Sequence, residues 1–143
     1  ESIPMRSDNA SATDGHAIEL MCADLMRQKG YTIIAQNYKS GSLELDLIVM
    51  EGTTLCFIEV KARSNLGALR DLESLITPQK QLNILRAAKA FLQDKKGGRH
   101  LVYSDIRFDY LLIYVPKDGR EPGYKIFRNA IYDMPPGYED IRL

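Results

Sequence analysis

Charged residues stand inside two stretches of this sequence whose other residues have the apolar character of buried β-strands. The stretches are residues 43–50 and 54–62, and their charged members are Glu44, Asp46, Glu59 and Lys61. Side chains alternate between the two faces of a strand, so the two charges in each stretch point to one face. Burying a charge costs free energy unless it is paired or bound to an ion. Clustered charge at these positions therefore needs a chemical reason.

The turn between the stretches predicts how they face each other. A two-residue hairpin at 52–53 sets Asp46 opposite Glu59 and Glu44 opposite Lys61. Two carboxylates across a ladder repel each other unless a divalent cation takes oxygen from both. This register favours a magnesium site at Asp46 and Glu59, with the Lys61 ammonium placed to orient water or stabilise a phosphoryl oxygen.

A structural interpretation of the same four residues stays open. Glu44 and Lys61 can form an exposed cross-strand ion pair while Asp46 and Glu59 face solvent. A register slip of one residue would send these groups to opposite faces of the sheet.

Hydrophobic periodicity and turn residues predict the element order αβββαββ, an α/β sandwich with helices packed on a central sheet. Gly30 ends the first helix, and Thr77 with Pro78 begins the second. The predicted strands are 31–38, 43–50, 54–62, 106–115 and 124–131, the first three forming an antiparallel meander. The expected organisation is a flexible arm at 1–13, one domain at 14–132 and a C-terminal tail at 133–143.

Composition limits the classes of function. Nineteen basic residues balance nineteen acidic ones, so no global positive field indicates a nucleic-acid binder, and electrostatic arguments must be local. Two cysteines and two histidines are too few for a four-ligand zinc site or a disulfide framework. With no long apolar run either, we expect a cytoplasmic protein without a membrane span.

The charged residues also resemble a known pattern. Asp46, followed after twelve residues by Glu59-Val60-Lys61, is similar to the signature of the PD-(D/E)xK nuclease superfamily. Further segments resemble, in order, the YraN-like family of small bacterial proteins; they are 15–19, 30–31, 37–38, 44–48, 57–63, Lys80 with Ala87 and Ala88, 107–109 and 129–130. This resemblance implies a restriction-endonuclease-like fold with a central mixed sheet flanked by helices, related to archaeal Holliday junction resolvases.

The resemblance also implies an activity, namely magnesium- or manganese-dependent hydrolysis of phosphodiester bonds in DNA of branched or otherwise structured form. It assigns Asp46 and Glu59 as metal ligands and Lys61 as the catalytic lysine. Glu19, on the first helix, matches an acidic residue that joins the metal site in resolvase-like relatives. Whether the chain forms a homodimer is left open.

Contacts to nucleic acid are expected from Lys80, Gln81 and Arg63. Lys80 and Gln81 could equally belong to a solvated helix face, and Glu19 could be a helix-flank carboxylate. Arg107 and Asp109 are interpreted as a structural pair. A non-catalytic nucleic-acid-binding or scaffold protein of the same fold is the alternative function.

Overall fold

The computed structural model describes residues 15–64 and 76–131, together with Tyr138, Ile141 and Leu143. The predicted arm at 1–13 and most of the predicted tail lie outside these residues. The elements are α1 (Gly15–Gln28), β1 (Thr32–Ser40), β2 (Leu43–Glu51), β3 (Thr54–Arg63), α2 (Pro78–Gln93), β4 (Asp105–Tyr114) and β5 (Gly123–Phe127). The predicted order αβββαββ is confirmed.

The five strands form one mixed sheet in the order β1-β2-β3-β4-β5. The pairs β1–β2, β2–β3 and β4–β5 are antiparallel, which confirms the predicted meander, whereas β3 and β4 are parallel. Parallel neighbours need a crossover connection, and α2 lies in the chain between β3 and β4.

Local sequence explains where the elements begin and turn. Gly52 adopts φ 61°, a conformation that glycine takes at little cost, and the hairpin there pairs Glu51 with Thr54. The predicted register is therefore confirmed. At the start of α2, the Thr77 hydroxyl accepts a hydrogen bond from the Lys80 backbone N–H, and Pro78 occupies the first turn.

Apolar side chains form one layer on each face of the sheet. Met26, Leu47, Cys56 and Leu111 belong to the layer beneath α1, where Cys22 is also buried. The layer beneath α2 contains the buried residues Leu45, Phe57, Leu85, Phe91, Tyr110 and Ile141. Cys22 and Cys56 are thus free core cysteines, as predicted, and Ile141 brings part of the segment 133–143 onto the domain.

The last strand ends earlier than the sequence predicts, at Phe127 instead of residue 131. Asn129 adopts φ 55°, which breaks the extended conformation, and its N–H donates to the Asp109 carboxylate at 3.1 Å instead of to a strand.

Across the described ranges, the helices are too short or too polar to cross a membrane.

Candidate active site

The site lies where β2 and β3 stop pairing. Their recorded ladder ends at Leu47 and Ile58. One residue further, the Asp46 carboxylate accepts a hydrogen bond from the Val60 backbone N–H at 2.8 Å. The Asp46 side chain therefore accepts the hydrogen bond that a main-chain carbonyl would accept in a continued ladder. This bond fixes the Asp46 carboxylate at the end of the ladder.

Glu59 meets Asp46 at this point. Glu59 follows Ile58, the last paired residue of β3, and its partly buried carboxyl group interacts with that of Asp46. Burial, then the hydrogen bond and charge of Asp46, raises the pKa of Glu59 to about 8, although Lys80 and Lys61 oppose this shift. The two carboxyl groups predicted to face each other therefore interact, and their mutual repulsion favours the protonated form of Glu59.

Two lysines complete what we call the carboxylate–lysine cluster, which consists of Asp46, Glu59, Lys61 and Lys80. Lys80 reaches the cluster from the first turn of α2, and its charge interacts with that of Lys61. Burial, then the neighbouring Lys61, lowers the pKa of Lys80 to about 8. The Lys80 Nζ also lies 6.0 Å from the centroid of the Tyr110 ring, and Tyr110 pairs with Glu59 across β3 and β4.

Glu19 approaches the cluster from the opposite side of the sheet. A cavity of about 490 Å³ lies between the first half of α1 and the ends of β2 and β3, and Glu19, Asp46, Lys61 and Arg63 all line it. Burial, then the charges of Asp46 and Glu19, raises the pKa of the adjacent Cys22 thiol to about 12. The structure thus places Glu19 at the same cavity as Asp46 and Lys61.

Glu19 does not, however, complete a three-carboxylate set. Within the described ranges 15–64 and 76–131, no group of three or more His, Cys, Asp or Glu side chains is close enough to hold a metal ion together. Magnesium in proteins is usually bound by one or two carboxylates, with waters and substrate phosphates as its other ligands. Asp46 and Glu59 fit that donor set by chemistry and by number.

The predicted pairing of Glu44 with Lys61 is wrong. Glu44 forms an exposed ion pair with Lys39, its partner on β1, at 3.5 Å. The β2–β3 ladder ends before it reaches Glu44, so β1 and not β3 supplies the neighbour of this residue.

The two other residues expected to contact nucleic acid have local partners. The Gln81 amide donates to the Ile76 carbonyl at 3.4 Å. The Arg63 guanidinium donates to the Ala62 carbonyl at 2.8 Å, and Arg63 lies at the mouth of the cavity. Lys80 is therefore the member of this group that the structure brings into the carboxylate–lysine cluster.

A second polar network lies at the other end of the sheet. Asp109 is buried, and the Arg107 Nε–H donates to both of its carboxylate oxygens at 3.0 Å. The predicted structural pair is therefore confirmed. Arg107 also donates to Glu51 at 2.9 Å, and the Tyr31 hydroxyl accepts from Arg128 at 2.9 Å. Sequence reasoning missed Tyr31, Glu51 and Arg128 in this role, because each belongs to a different segment and has no local motif.

These features define a class of protein: a mixed α/β domain in which two carboxyl groups and two lysines share a site where strands β2 and β3 stop pairing. The chain belongs to the uncharacterised protein family UPF0102, the YraN-like family, whose model matches residues 18–113. The resemblance drawn from the sequence is thereby confirmed at the level of the family.

Individual relatives agree with this assignment. A UPF0102 protein of Chlorobium limicola is 41% identical over 99 residues, which cover 69% of this chain and 73% of the relative. One from Chlorobium chlorochromatii is 40% identical over 111 residues, 78% and 81% of the two chains. A Vibrio cholerae relative is 35% identical over 104 residues, 73% and 83% of the two chains.

The opposite pKa shifts in the cluster predict a minimum of its contribution to stability near pH 8. The pKa of Glu59 rises from 4.5 to about 8, so between these values the folded protein binds more protons than the unfolded chain, and the free energy of unfolding falls as the pH rises. The pKa of Lys80 falls from 10.5 to about 8, so above pH 8 the unfolded chain binds more protons and stability recovers.

Urea unfolding at several pH values, in the absence of divalent cations, measures this effect. Glu59→Gln is the matched control because it imitates the protonated carboxyl group at every pH. We expect the free energy of unfolding of the wild type to fall, relative to that of Glu59→Gln, as the pH rises from 5 to 8. A difference that stays constant over that interval would contradict the raised pKa of Glu59.

Proposed function

We propose that this protein is a metal-dependent endonuclease of the PD-(D/E)xK type that hydrolyses phosphodiester bonds in DNA. The observation that carries the proposal is the convergence of Asp46, Glu59 and Lys61 where the β2–β3 ladder ends, with Asp46 hydrogen-bonded to the Val60 N–H between Glu59 and Lys61. Two ionised carboxyl groups held together at the edge of a core destabilise a fold unless a proton or a cation neutralises their charge. A divalent cation is the ligand that would reverse this cost.

The arrangement along the chain supports the same proposal. The acidic residue stands near the start of β2, and the acid-x-lysine triplet stands on β3 after a tight hairpin. The αβββαββ order and the mixed sheet agree with the restriction-endonuclease-like fold that this signature implies. Glu19 lines the cavity that opens on Asp46, so it remains a candidate outer ligand of the metal.

In this mechanism Asp46 and Glu59 would hold the cation, which would supply Lewis acidity at the phosphoryl group and make a water more acidic. The backbone N–H of Val60 keeps the Asp46 carboxylate in place. Lys61 orients the attacking water and stabilises the negative charge that develops on the phosphoryl oxygens. As the water oxygen bonds to phosphorus, that water releases a proton to solvent, the phosphorus–oxygen bond to one sugar breaks, and the departing oxygen takes a proton from solvent. Arg63, which lines the cavity, and Gln81, which follows Lys80 in α2, are assigned contacts with the DNA backbone.

A cleavage screen tests the proposal. Purified protein is incubated with single-stranded, duplex, flap and four-way-junction DNA, and with RNA, in millimolar magnesium or manganese. We expect cleavage of at least one branched or otherwise structured DNA, and no cleavage in the presence of a chelator. Calcium in place of magnesium is a useful control because it occupies oxygen sites with looser geometry.

Absence of cleavage of every substrate would contradict the enzymatic proposal and favour a nucleic-acid-binding or scaffold role. One observation gives that alternative a basis, since the exposed basic residues Lys95, Lys96 and Arg99 directly follow α2. Binding of DNA without cleavage, weakened by salt, would identify this second function.

A further inference from the structure

We propose that Lys80 is a second catalytic lysine, whose ammonium binds the phosphoryl group undergoing cleavage together with Lys61. This inference rests on the proposed nuclease function and deepens it. A surface lysine that attracts DNA would act on affinity, whereas Lys80 is placed to act on the reaction itself.

The position of Lys80 is set by two elements. Its backbone N–H donates to the Thr77 hydroxyl at 3.2 Å, which fixes the first turn of α2 over the sheet. Its Nζ lies 6.0 Å from the centroid of the Tyr110 ring, and the Tyr110 side chain is buried. Because Tyr110 is the β4 partner of Glu59, this contact places the partly exposed Lys80 ammonium on the side of the sheet that carries Glu59.

The charges of the cluster favour an anionic ligand between the lysines. Lys61 lies two residues beyond Glu59 on the same face of β3, and Lys80 lies over Tyr110, the β4 partner of Glu59, so two like charges are placed near the same carboxyl groups. A divalent cation at Asp46 and Glu59 would neutralise both carboxylates and leave the two positive charges uncompensated. A phosphodiester carries one negative charge and approaches two as water adds to it. The pair of lysines therefore matches the charge of the reacting phosphoryl group.

Steady-state cleavage by Lys80→Gln tests the assignment, with Arg86→Gln as the matched control. Both variants remove one positive charge from α2, but Arg86 is exposed and lies outside the cluster. We expect Lys80→Gln to lower kcat by about 10²- to 10³-fold with little change in KM. Arg86→Gln is expected to leave kcat unchanged and to raise KM slightly, with a smaller salt dependence of binding.

A second measurement does not depend on turnover. Calorimetric titration with thymidine 5′-monophosphate in magnesium should show binding that Lys80→Gln weakens about tenfold or more and Arg86→Gln leaves unchanged. Thermal unfolding of each variant identifies a folding defect, and Lys80→Arg, which keeps the charge, should restore part of the affinity.

The outcomes separate this inference from the proposed function. Wild-type kcat, or wild-type nucleotide affinity, in folded Lys80→Gln would overturn the role of Lys80 while leaving the nuclease proposal intact. If the wild type cleaves nothing but Lys80→Gln still loses nucleotide affinity, the nuclease proposal fails and the phosphate contact stands. A wild type that neither cleaves nucleic acid nor binds the nucleotide would overturn both.

Discussion

Lys61→Ala is expected to lower the rate of DNA cleavage by about 10²- to 10³-fold, the loss typical of one donor that stabilises transition-state charge. Metal binding should survive, because the cation is assigned to Asp46 and Glu59. Thermal unfolding measures this second property, since a ligand that binds only the folded state raises the melting temperature. Wild type and Lys61→Ala should therefore show similar magnesium-dependent stabilisation.

Asp46→Asn provides the contrasting variant. The amide oxygen can still accept the hydrogen bond from Val60 N–H, so the local structure at the end of the β2–β3 ladder should be preserved. An amide lacks the charge that holds the cation, and we expect both cleavage and magnesium-dependent stabilisation to be lost. Equal cleavage by wild type and both variants would indicate a contaminating nuclease. Full activity of Lys61→Ala alone would refute the role given to this lysine.

Asp109→Ala is expected to lower the free energy of unfolding by about 3–5 kcal/mol, because it leaves the largely buried Arg107 guanidinium without its main partner. Chemical denaturation measures the change. The chain offers a matched control in Asp118 and Arg120, which form an ion pair with the same sequence spacing at 2.7 Å but are exposed. Asp118→Ala should leave the unfolding midpoint nearly unchanged.

A double-mutant cycle sharpens this second test. If the cost of Asp109→Ala arises mainly from a guanidinium left with Glu51 in place of both acidic partners, then replacing Arg107 as well should cost much less than the sum of the two single changes. If Asp109→Ala is as stable as Asp118→Ala, the network around Arg107 and Asp109 makes no net contribution to the free energy of unfolding.

Local chemistry explains why part of the fold and site could be predicted. The turn at 52–53 sets the β2–β3 register, and this register brings Asp46 to Glu59. Thr77 and Pro78 likewise define the start of α2 through contacts with residues only a turn away. In each case the residues that decide the structure are close together in sequence, so their spacing carries the information.

Non-local contacts account for what could not be predicted. The parallel pairing of β3 with β4 joins segments separated by a helix, and no local pattern specifies it. The position of Lys80 depends on how α2 packs over Tyr110, so periodicity alone leaves it on a helix face. The pairing of Glu44 with Lys39 instead of Lys61 could not be predicted, because the alternation of side chains does not reveal where a ladder stops.

The parallel pairing of β3 with β4 also has a kinetic consequence. Every other strand pair can close as a local hairpin, whereas the contact between Thr53 and Ser104 at the start of the parallel pair spans 51 residues. Closing so long a loop is entropically costly and is expected to come late in folding. Glu59 and Lys61 lie on β3, Tyr110 lies on β4 and Lys80 lies on the crossover helix. An intermediate that contains only the β1–β3 meander would therefore have Asp46 and Glu59 but not the support for Lys80, so phosphate affinity should appear only with the final folding step.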